Sequence, residues 1–250
     1  MSLQVTFIGT ANAFNAGGRR QSCVALRTKT GTGLLDCGMN SAEGLATFGI
    51  KRPEISTIVI THLHGDHWGG LVTLLQAMRW EDYRPRPLRI YGPPGLIDCL
   101  FRLLDLFCIH VNLEDPGWSW LELREYQTGR FEVGSTVCET FKTKHSTGTN
   151  AHGLRLKIAD RVVVYSGDTG WFDKLPHQAR GSDLFICECT QARVGLDTHL
   201  SAPELIEHHS KFSCGRIVLT HFDSTMSRRD HPDLIRLGYE LADDGLTIEI

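Results

Sequence analysis

The stretch STIVITHLHGDHWGG, residues 56–70, decides the fold and the chemistry of this chain. A run of β-branched and apolar residues, typical of a buried strand, leads directly into three histidines and one aspartate within six positions. Folding alone gives no reason to place so many titratable groups in one turn. Imidazole nitrogens and carboxylate oxygens are the groups that bind zinc and similar divalent ions. The stretch therefore predicts a metal-binding turn at the end of a strand.

Two other predicted strands end in a residue that can bind a metal. RVVVYSGD ends at Asp168 and RIVLTH ends at His221, just as TIVITH ends at His62. Side chains at strand ends are held by a rigid sheet but open onto loops, where catalytic groups usually lie. A core histidine is more often a lone residue inside an element, so three such strand ends in one chain argue against coincidence.

The composition is that of an ordinary soluble globular protein. Hydrophobic residues make up 41% of the 250 residues, charged residues make up 22%, and the formal net charge is -3. This balance argues against a non-specific nucleic-acid coat and against a polybasic membrane binder. No apolar run approaches the roughly 18 residues that a membrane span needs, and the amino terminus resembles a strand rather than a signal peptide. The eight cysteines contain no Cys-x-x-Cys pair, so reduced thiols and a cytoplasmic location are expected.

The order of the apolar segments predicts two packed sheets. Strand patterns fill the opening third (LQVTFIG, SCVALRT) and the last third (RVVVYSGD, DLFICE, RIVLTH). Helical patterns (GGLVTLLQAMRW, GLIDCLFRLLDLF) and a hairpin-rich region (LELREYQ, RFEVGS, TVCETFKTKH) lie between them, and another helix is predicted from about Ser201 to His209. Because no linker divides the chain, residues 1–250 are predicted to form one domain with an α/β fold, in which two sheets pack face to face with helices outside.

Several motifs resemble those of one protein superfamily. Residues 61–67, THLHGDH, match the HxHxDH motif of the metallo-β-lactamase superfamily. The wider stretch ITHLHGDHWGGL, with FIGTANAF and LLDCGMN, resembles its ribonuclease Z branch. The resemblance runs over nearly the whole chain. It implies an αββα sandwich of two packed mixed sheets with outer helices, and a two-metal site at the edge between the sheets.

The resemblance also implies how two divalent metal ions would be held. The first ion would bind His62, His64 and His145; the second would bind Asp66, His67 and His221; Asp168 would bridge both. His152, in the same loop as His145, is a rival for that position. Zinc is the favoured ion, with manganese and iron as alternatives. A water shared by the two ions would be ionised near neutral pH and serve as the nucleophile, with Asp66 orienting it.

Two further residues bear on which bond is cleaved. Ribonuclease Z-like phosphodiesterases carry a glutamate and a histidine that correspond here to Glu188 in CECT and His199 in THLS. A histidinium held by a carboxylate suits protonation of a leaving alkoxide, so His199 is the expected general acid and Glu188 the group that orients it. In a purely structural reading, Glu188 is a charge at a strand end, and His199 precedes a helix capped by Ser201.

The substrate is expected to be small. Many ribonuclease Z proteins insert a tRNA-clamping arm between the loop histidine and the bridging aspartate, but here His145 and Asp168 are only 23 positions apart. This spacing resembles small phosphodiesterases of the same branch, such as those that open cyclic phosphates in phosphonate breakdown. Their cysteine cluster for a structural zinc is missing, since this chain has only Cys23 in the first loop.

Other residues could contact an anionic substrate, and these assignments stay open. Arg19 and Arg20 lie near the expected mouth of the site, and Arg84, Arg86 and Arg89 form a short basic segment that is either a solvated connection or a contact for RNA. The leading hypothesis is a phosphodiesterase for a small or nucleotide-derived diester.

Three other functions are compatible with parts of the pattern. A lactone, thioester or β-lactam hydrolase would use the same metals without His199, and a tRNA 3′-end processing endonuclease would bind RNA. A non-catalytic sensor would be expected to lose ligands, and none is missing. The helix GLIDCLFRLLDLF with Trp118 and Trp120 could be core, a lid or a dimer face, and a homodimer is expected because the branch often dimerises.

Overall fold

Two mixed sheets of seven strands each form the centre of the computed structural model, which describes residues 2–82, 84, 86–134, 136–226 and 231–250. Sheet 1 contains β1 (Gln4–Gly9), β2 (Cys23–Thr28), β3 (Gly31–Leu35), β4 (Ile55–Val59), β5 (Leu88–Gly92), β6 (Leu121–Glu125) and β14 (Thr247–Glu249), in the order β14-β1-β2-β3-β4-β5-β6. Sheet 2 contains β7 (Arg130–Val133), β8 (Thr136–Lys142), β9 (His152–Ile158), β10 (Arg161–Tyr165), β11 (Leu184–Glu188), β12 (Arg216–Thr220) and β13 (Tyr239–Leu241), in the order β13-β12-β11-β10-β9-β8-β7.

The helices lie on the outer faces of these sheets or at their ends. They are α1 (Ser41–Thr47), α2 (Gly65–Trp68), α3 (Leu71–Trp80), α4 (Leu96–Leu106), α5 (Leu175–Ala179), α6 (Ala202–Glu207) and α7 (Pro232–Arg236). The predicted helix after Ser201 is confirmed as α6, which is capped by a reciprocal pair of hydrogen bonds between Ser201 and Glu204. No helix in the described ranges is long and apolar enough to cross a membrane.

The apolar residues divide into three layers because neighbouring strand residues face opposite sides of a sheet. On β4, Ile58 packs into the cluster beneath α3 and α4, whereas Val59 packs between the two sheets. On β11, Ile186 faces the layer between the sheets, and Phe185 faces the cluster beneath α5, α6 and α7. These layers confirm the predicted α/β sandwich with helices outside both sheets.

The helix α4 and the two tryptophans belong to the core. Leu100 and Leu104 of α4 are buried against sheet 1, and Trp118 and Trp120 are 2% and 7% exposed in the same cluster. The inner face of α4 and both tryptophans therefore lie in the core, whereas Leu106 and Phe107 at the carboxyl end of the segment are exposed.

Parallel pairing sets the position of the functional site. Strands β3, β4, β5 and β6 are parallel neighbours in sheet 1, and β10, β11, β12 and β13 are parallel neighbours in sheet 2. The carboxyl ends of parallel strands meet at one edge of a sheet, so the loops after them converge. The segments that follow β4, β10 and β12 contain His62, Asp168 and His221.

Candidate metal centre

The histidine-rich turn is built by a short helix that follows β4 almost at once. β4 ends at Val59, three residues before His62, and α2 begins at Gly65, so Asp66 and His67 lie in its only turn. The next segment packs too closely for a side chain: a Cβ at Gly70 would lie 2.0 Å from the carbonyl oxygen of Gly38. The glycines therefore let this turn fold against the loop after β3.

A first group of four ligand atoms lies at the edge between the two sheets. His64 Nδ1 is 3.2 Å from His62 Nε2 and 3.0 Å from His145 Nε2. Asp168 Oδ2 is 3.6 Å from His62 Nε2 and 3.8 Å from His145 Nε2. All four atoms lie within 4.8 Å of one another, so the group could hold one metal ion.

A second group shares Asp168 and lies beside the first. His67 Nε2 is 3.3 Å from Asp66 Oδ2, 3.3 Å from His221 Nε2 and 3.2 Å from Asp168 Oδ1. His221 Nε2 is 3.4 Å from Asp66 Oδ2 and 3.3 Å from Asp168 Oδ1. One carboxylate oxygen of Asp168 thus belongs to each group, which is the arrangement expected of a bridging ligand.

The spacing of these atoms fits a divalent ion better than it fits hydrogen bonds. Ligand atoms about 2.0–2.1 Å from a tetrahedral ion are separated by about 3.3–3.4 Å, close to the distances in the second group. Asp168 Oδ1 is buried and has no hydrogen-bond partner among the described residues. A buried carboxylate oxygen without a donor is costly unless a cation satisfies it.

The outward ring nitrogens of three of the histidines are already engaged. Nδ1 of His67 lies 2.7 Å from Asp36 Oδ2, and Nδ1 of His145 lies 2.9 Å from the carbonyl oxygen of Thr198. Nδ1 of His221 lies 2.9 Å from Thr190 Oγ1. An N–H that donates outward leaves a lone pair on the inward nitrogen, which is the tautomer that a metal requires.

The electrostatics of the cluster favour a bound cation. Burial opposes protonation of His67, but the carboxylates of Asp168, Asp66 and Asp36 raise its pKa well above the ordinary value. Burial lowers the pKa of His62 well below the ordinary value. The site therefore combines a neutral imidazole ligand with an excess of carboxylate charge, and divalent ions would balance that charge.

Asp36 is one residue of this site that the sequence did not reveal. It is fully buried after β3, and it accepts hydrogen bonds from Thr61 N at 2.8 Å and from Tyr165 Oη at 2.9 Å as well as from His67. It lies in LLDCGMN, a stretch that supported the family resemblance, but no metal-ligand pattern contains it. Asp36 holds His67 in place and does not itself belong to either ligand group.

The Asp36→Asn variant is expected to bind metal about 10–100-fold more weakly. An asparagine amide would present N–H donors to groups that are themselves donors, so His67 would lose its orienting acceptor. Competition with a chelating dye measures this affinity. The Asp98→Asn variant, at an exposed carboxylate on α4, should keep the affinity of the wild type; equal affinities in both variants would contradict the role of Asp36.

Glu188 and His199 form a hydrogen-bonded pair beside the second group. Glu188 Oε1 is 2.9 Å from His199 Nδ1 and accepts the backbone N–H of Thr169 at 2.7 Å, while Oε2 accepts from the hydroxyl of Thr190 at 2.7 Å. The His199 ring lies against His145 and His221, with centroids 4.9 and 5.5 Å away. Burial disfavours the charged imidazole, but the Glu188 carboxylate raises the pKa of His199 to about 9. Since Nδ1 of His199 is hydrogen-bonded to Glu188, Nε2 of His199 is the ring nitrogen that can contact a bound molecule.

His152 lies apart from both ligand groups. It begins β9, with Nδ1 2.6 Å from the carbonyl oxygen of Asn150 and Nε2 2.9 Å from Thr128 Oγ1. Burial lowers the pKa of His152 to about 4. This histidine therefore packs as a neutral side chain, and of the two rivals only His145 lies in a candidate ligand group.

The His152→Gln variant should retain the metal content of the wild type and be less sensitive to acid. The folded pKa lies below the unfolded value near 6.5, so protonation favours the unfolded chain as pH falls from about 6.5 towards 4. Between pH 7 and pH 5 the wild type should lose on the order of 1 kcal/mol more unfolding free energy than the variant. Urea unfolding at the two pH values measures the unfolding free energy, and elemental analysis measures the metal content. Loss of metal in the variant would contradict the placement of His152 outside the ligand groups.

The arginines near the amino terminus have carboxylate partners. Arg19 pairs with Asp243 at 3.0 Å, and Arg20 pairs with Glu43 at 2.6 Å and Asp244 at 3.3 Å. These contacts join the first loop to the rest of the chain, so a structural role accounts for both arginines.

All eight cysteines are free thiols.

Comparisons with known proteins agree with this architecture. The family model described as anti-Pycsar protein Apyc1 matches residues 3–235. The ribonuclease Z of Natronomonas pharaonis is 30% identical over 100% of this chain and 98% of the relative. The solved short form of human tRNase Z is 27% identical, with a TM-score of 0.76 over 98% of each chain. The metallo-β-lactamase fold protein YhfI from Bacillus subtilis is 19% identical, with a TM-score of 0.83 over the full length of both chains.

Proposed function

Since the chain belongs to the anti-Pycsar protein Apyc1 family and to the ribonuclease Z-like branch of the metallo-β-lactamase superfamily, we propose that it is a two-metal phosphodiesterase for a small or nucleotide-derived diester. Its relatives indicate a metal-dependent hydrolase. The observation that carries the choice of bond is the Glu188–His199 pair beside the two ligand groups. A phosphodiester expels a basic alkoxide that benefits from a proton donor, whereas the metals alone can serve a lactone or thioester.

Each side chain has a role in this proposal. His62, His64 and His145 would hold one ion, Asp66, His67 and His221 the other, and Asp168 would bridge them. Divalent ions there would supply Lewis acidity and an ionised water near neutral pH. Asp66 would also orient the attacking water through its carboxylate. Glu188 keeps His199 oriented through Nδ1, so that Nε2 can donate a proton to the leaving oxygen.

The proposed substrate is small because no arm extends from the position where a tRNA clamp would start. The residues between His145 and Asp168 are all described, and they form a short loop followed by the antiparallel strands β9 and β10. Cleavage of RNA remains the second candidate, and the ribonuclease Z relatives favour it.

A panel of substrates tests the proposal. Metal-loaded protein should hydrolyse bis(p-nitrophenyl) phosphate and cyclic nucleotides, lose this activity with a chelator and regain it with zinc. Lactones and thioesters should react slowly. Fast hydrolysis of lactones or thioesters without diesterase activity would instead indicate a lactone or thioester hydrolase. Preferential cleavage of a tRNA precursor, with steep salt dependence, would select the endonuclease.

Four finer assignments complete the proposal. We propose zinc in both positions, with manganese and iron as alternatives, and elemental analysis should give two ions per chain. The chain is further proposed to form a single domain and to act as a homodimer in the cytoplasm. Light scattering on the purified protein tests the dimer.

A further inference from the structure

The end of the sandwich opposite the metal centre contains an unfilled cavity between the two sheets. Its volume is about 330 Å³, and its apolar lining includes Leu26, Val133, Leu156 and Ile158. Cavities of roughly 300–1,000 Å³ with apolar walls and a few polar groups are typical of small-molecule sites. Sandwich interiors are normally filled by interdigitating side chains, so this space needs a reason.

One inward-facing position on β3 that borders the cavity is occupied by Gly33. Gly33 lies two residues before Leu35, which packs between the sheets, so a side chain at Gly33 would point into the same layer. A Cβ at Gly33 would meet nothing within 4 Å, and Gly33 has no positive φ. Neither a close approach nor a turn therefore calls for glycine here, and its effect is to leave space.

A cationic groove of about 580 Å³ adjoins the cavity, with which it shares Thr28, Thr30, Gly31, Ser56 and Arg89. Five basic residues line the groove: Arg27, Lys29, Arg84, Arg86 and Arg89. Two of them have carboxylate partners, since Arg27 pairs with Glu54 at 3.2 Å and Arg89 with Glu122 at 3.0 Å.

The other three cations form no ion pair with the residues that the structure describes. Lys29 and Arg86 are exposed and form no ion pair with any residue that the structure describes. Arg84 is only 5% exposed and donates to the carbonyl oxygens of Arg52, Ile55 and Pro87. Its Nε is buried without a partner among the described residues. Burial lowers the pKa of Arg84, and the nearby Asp82 carboxylate only partly offsets this effect, so an anion at the groove would satisfy the buried guanidinium.

The groove lies at the end of the strands that is away from the metal centre. Ser56 lies at the start of β4 and His62 lies six residues later, so the two ends are about 20 Å apart along an extended strand. The three parallel strands β3, β4 and β5 begin at the groove and run towards the ligand groups. The inner end of the cavity is lined by Leu35 and Val59, and Val59 lies three residues before His62.

We propose that this end of the sandwich is a second ligand site, for a small phosphate monoester with an aromatic or apolar group. The phosphate would lie in the groove beside Lys29, Arg84 and Arg86, and the apolar group would enter the space at Gly33. The proposal does not depend on the phosphodiesterase assignment.

Calorimetric titration of the metal-loaded protein with phenyl phosphate tests the site. The wild type should bind phenyl phosphate at a saturable site that is absent from the Gly33→Leu variant, because the leucine side chain fills the cavity. The Lys29→Glu/Arg86→Glu double variant should bind about 100-fold more weakly, at roughly tenfold per charged hydrogen bond. Arg102→Glu, which changes the same charge at an exposed position on α4, should bind like the wild type.

The controls separate this site from the metal centre and from loss of folding. The Gly33→Leu variant should retain the diesterase rate and the melting temperature of the wild type. If Gly33→Leu fails to fold, the Lys29→Glu/Arg86→Glu double variant still tests the site. Inorganic phosphate should bind more weakly than phenyl phosphate, and the Gly33→Leu substitution should not change its affinity. Unchanged binding of phenyl phosphate in either variant would overturn the proposal. So would equal affinity for inorganic phosphate, or binding of single-stranded RNA that strengthens with length.

Discussion

The Asp168→Ala substitution is expected to reduce the metal content below two ions per chain and to lower kcat/KM by at least ~10³-fold. Asp168 contributes one oxygen to each ligand group, at 3.2 Å from His67 Nε2 and 3.6 Å from His62 Nε2. Alanine would remove a ligand from both groups at once. It would also remove a carboxylate that balances the charge of the ions. Elemental analysis and diester turnover measure the two effects.

An exposed aspartate five residues further along the chain provides the control. Asp173→Ala removes the same group outside the ligand set, and it should keep both ions and the full rate. If Asp168→Ala retained two ions and wild-type turnover, the bridging role would be wrong. Loss of turnover in the Asp173 variant would instead indicate general damage to the fold.

The His199→Ala substitution is expected to lower kcat about 10²–10⁴-fold on diesters with an alkyl leaving group. The loss should be much smaller with p-nitrophenyl leaving groups, because a weakly basic phenolate needs little protonation. His199 could also form a third group with Glu188 and His221, but its Nδ1 is held by Glu188 at 2.9 Å, so the metal content should stay at the wild-type value. Comparing the rates for the two leaving groups therefore isolates proton transfer from metal binding.

Glu188→Gln provides the companion variant, because Glu188 acts through His199. A smaller loss with the same dependence on the leaving group is expected, since the amide can still accept from His199 Nδ1 but carries no charge. His110→Ala, at a well-exposed histidine, should change neither rate. Equal losses of the His199 variant on both leaving groups would contradict the general-acid role.

The local part of the site was predictable, but its supporting residues were not. His62, His64, Asp66 and His67 fall within six positions, so their proximity follows from the chain itself. The role of Asp36 depends on a contact with His67 across 31 positions. Thr190 is a threonine with no pattern of its own, yet its hydroxyl lies within 3.2 Å of Glu188, His199 and His221. Such contacts require knowledge of which loops converge.

The sheet assignment was predictable only in outline. The periodicity that predicts strands in LELREYQ and RFEVGS gives no information about their partners. The structure places β6 beside β5 in sheet 1 and β7 beside β8 in sheet 2, so the region is not one run of hairpins. Similarly, the cavity between the two sheets depends on which face of β3 contains Gly33. That face follows from the register of β3 with β2 and β4.

The ligand groups draw on loops from both sheets, and this has a consequence for folding. His62, His64, Asp66 and His67 follow a strand of sheet 1, whereas His145, Asp168 and His221 follow strands of sheet 2. Bound ions would act as cross-links between layers that otherwise associate through apolar packing. Because such ions bind the assembled site and not the unfolded chain, thermal stability would depend on the free metal concentration. The cell's supply of the bound ion would then govern how long the folded protein persists as well as how fast it works.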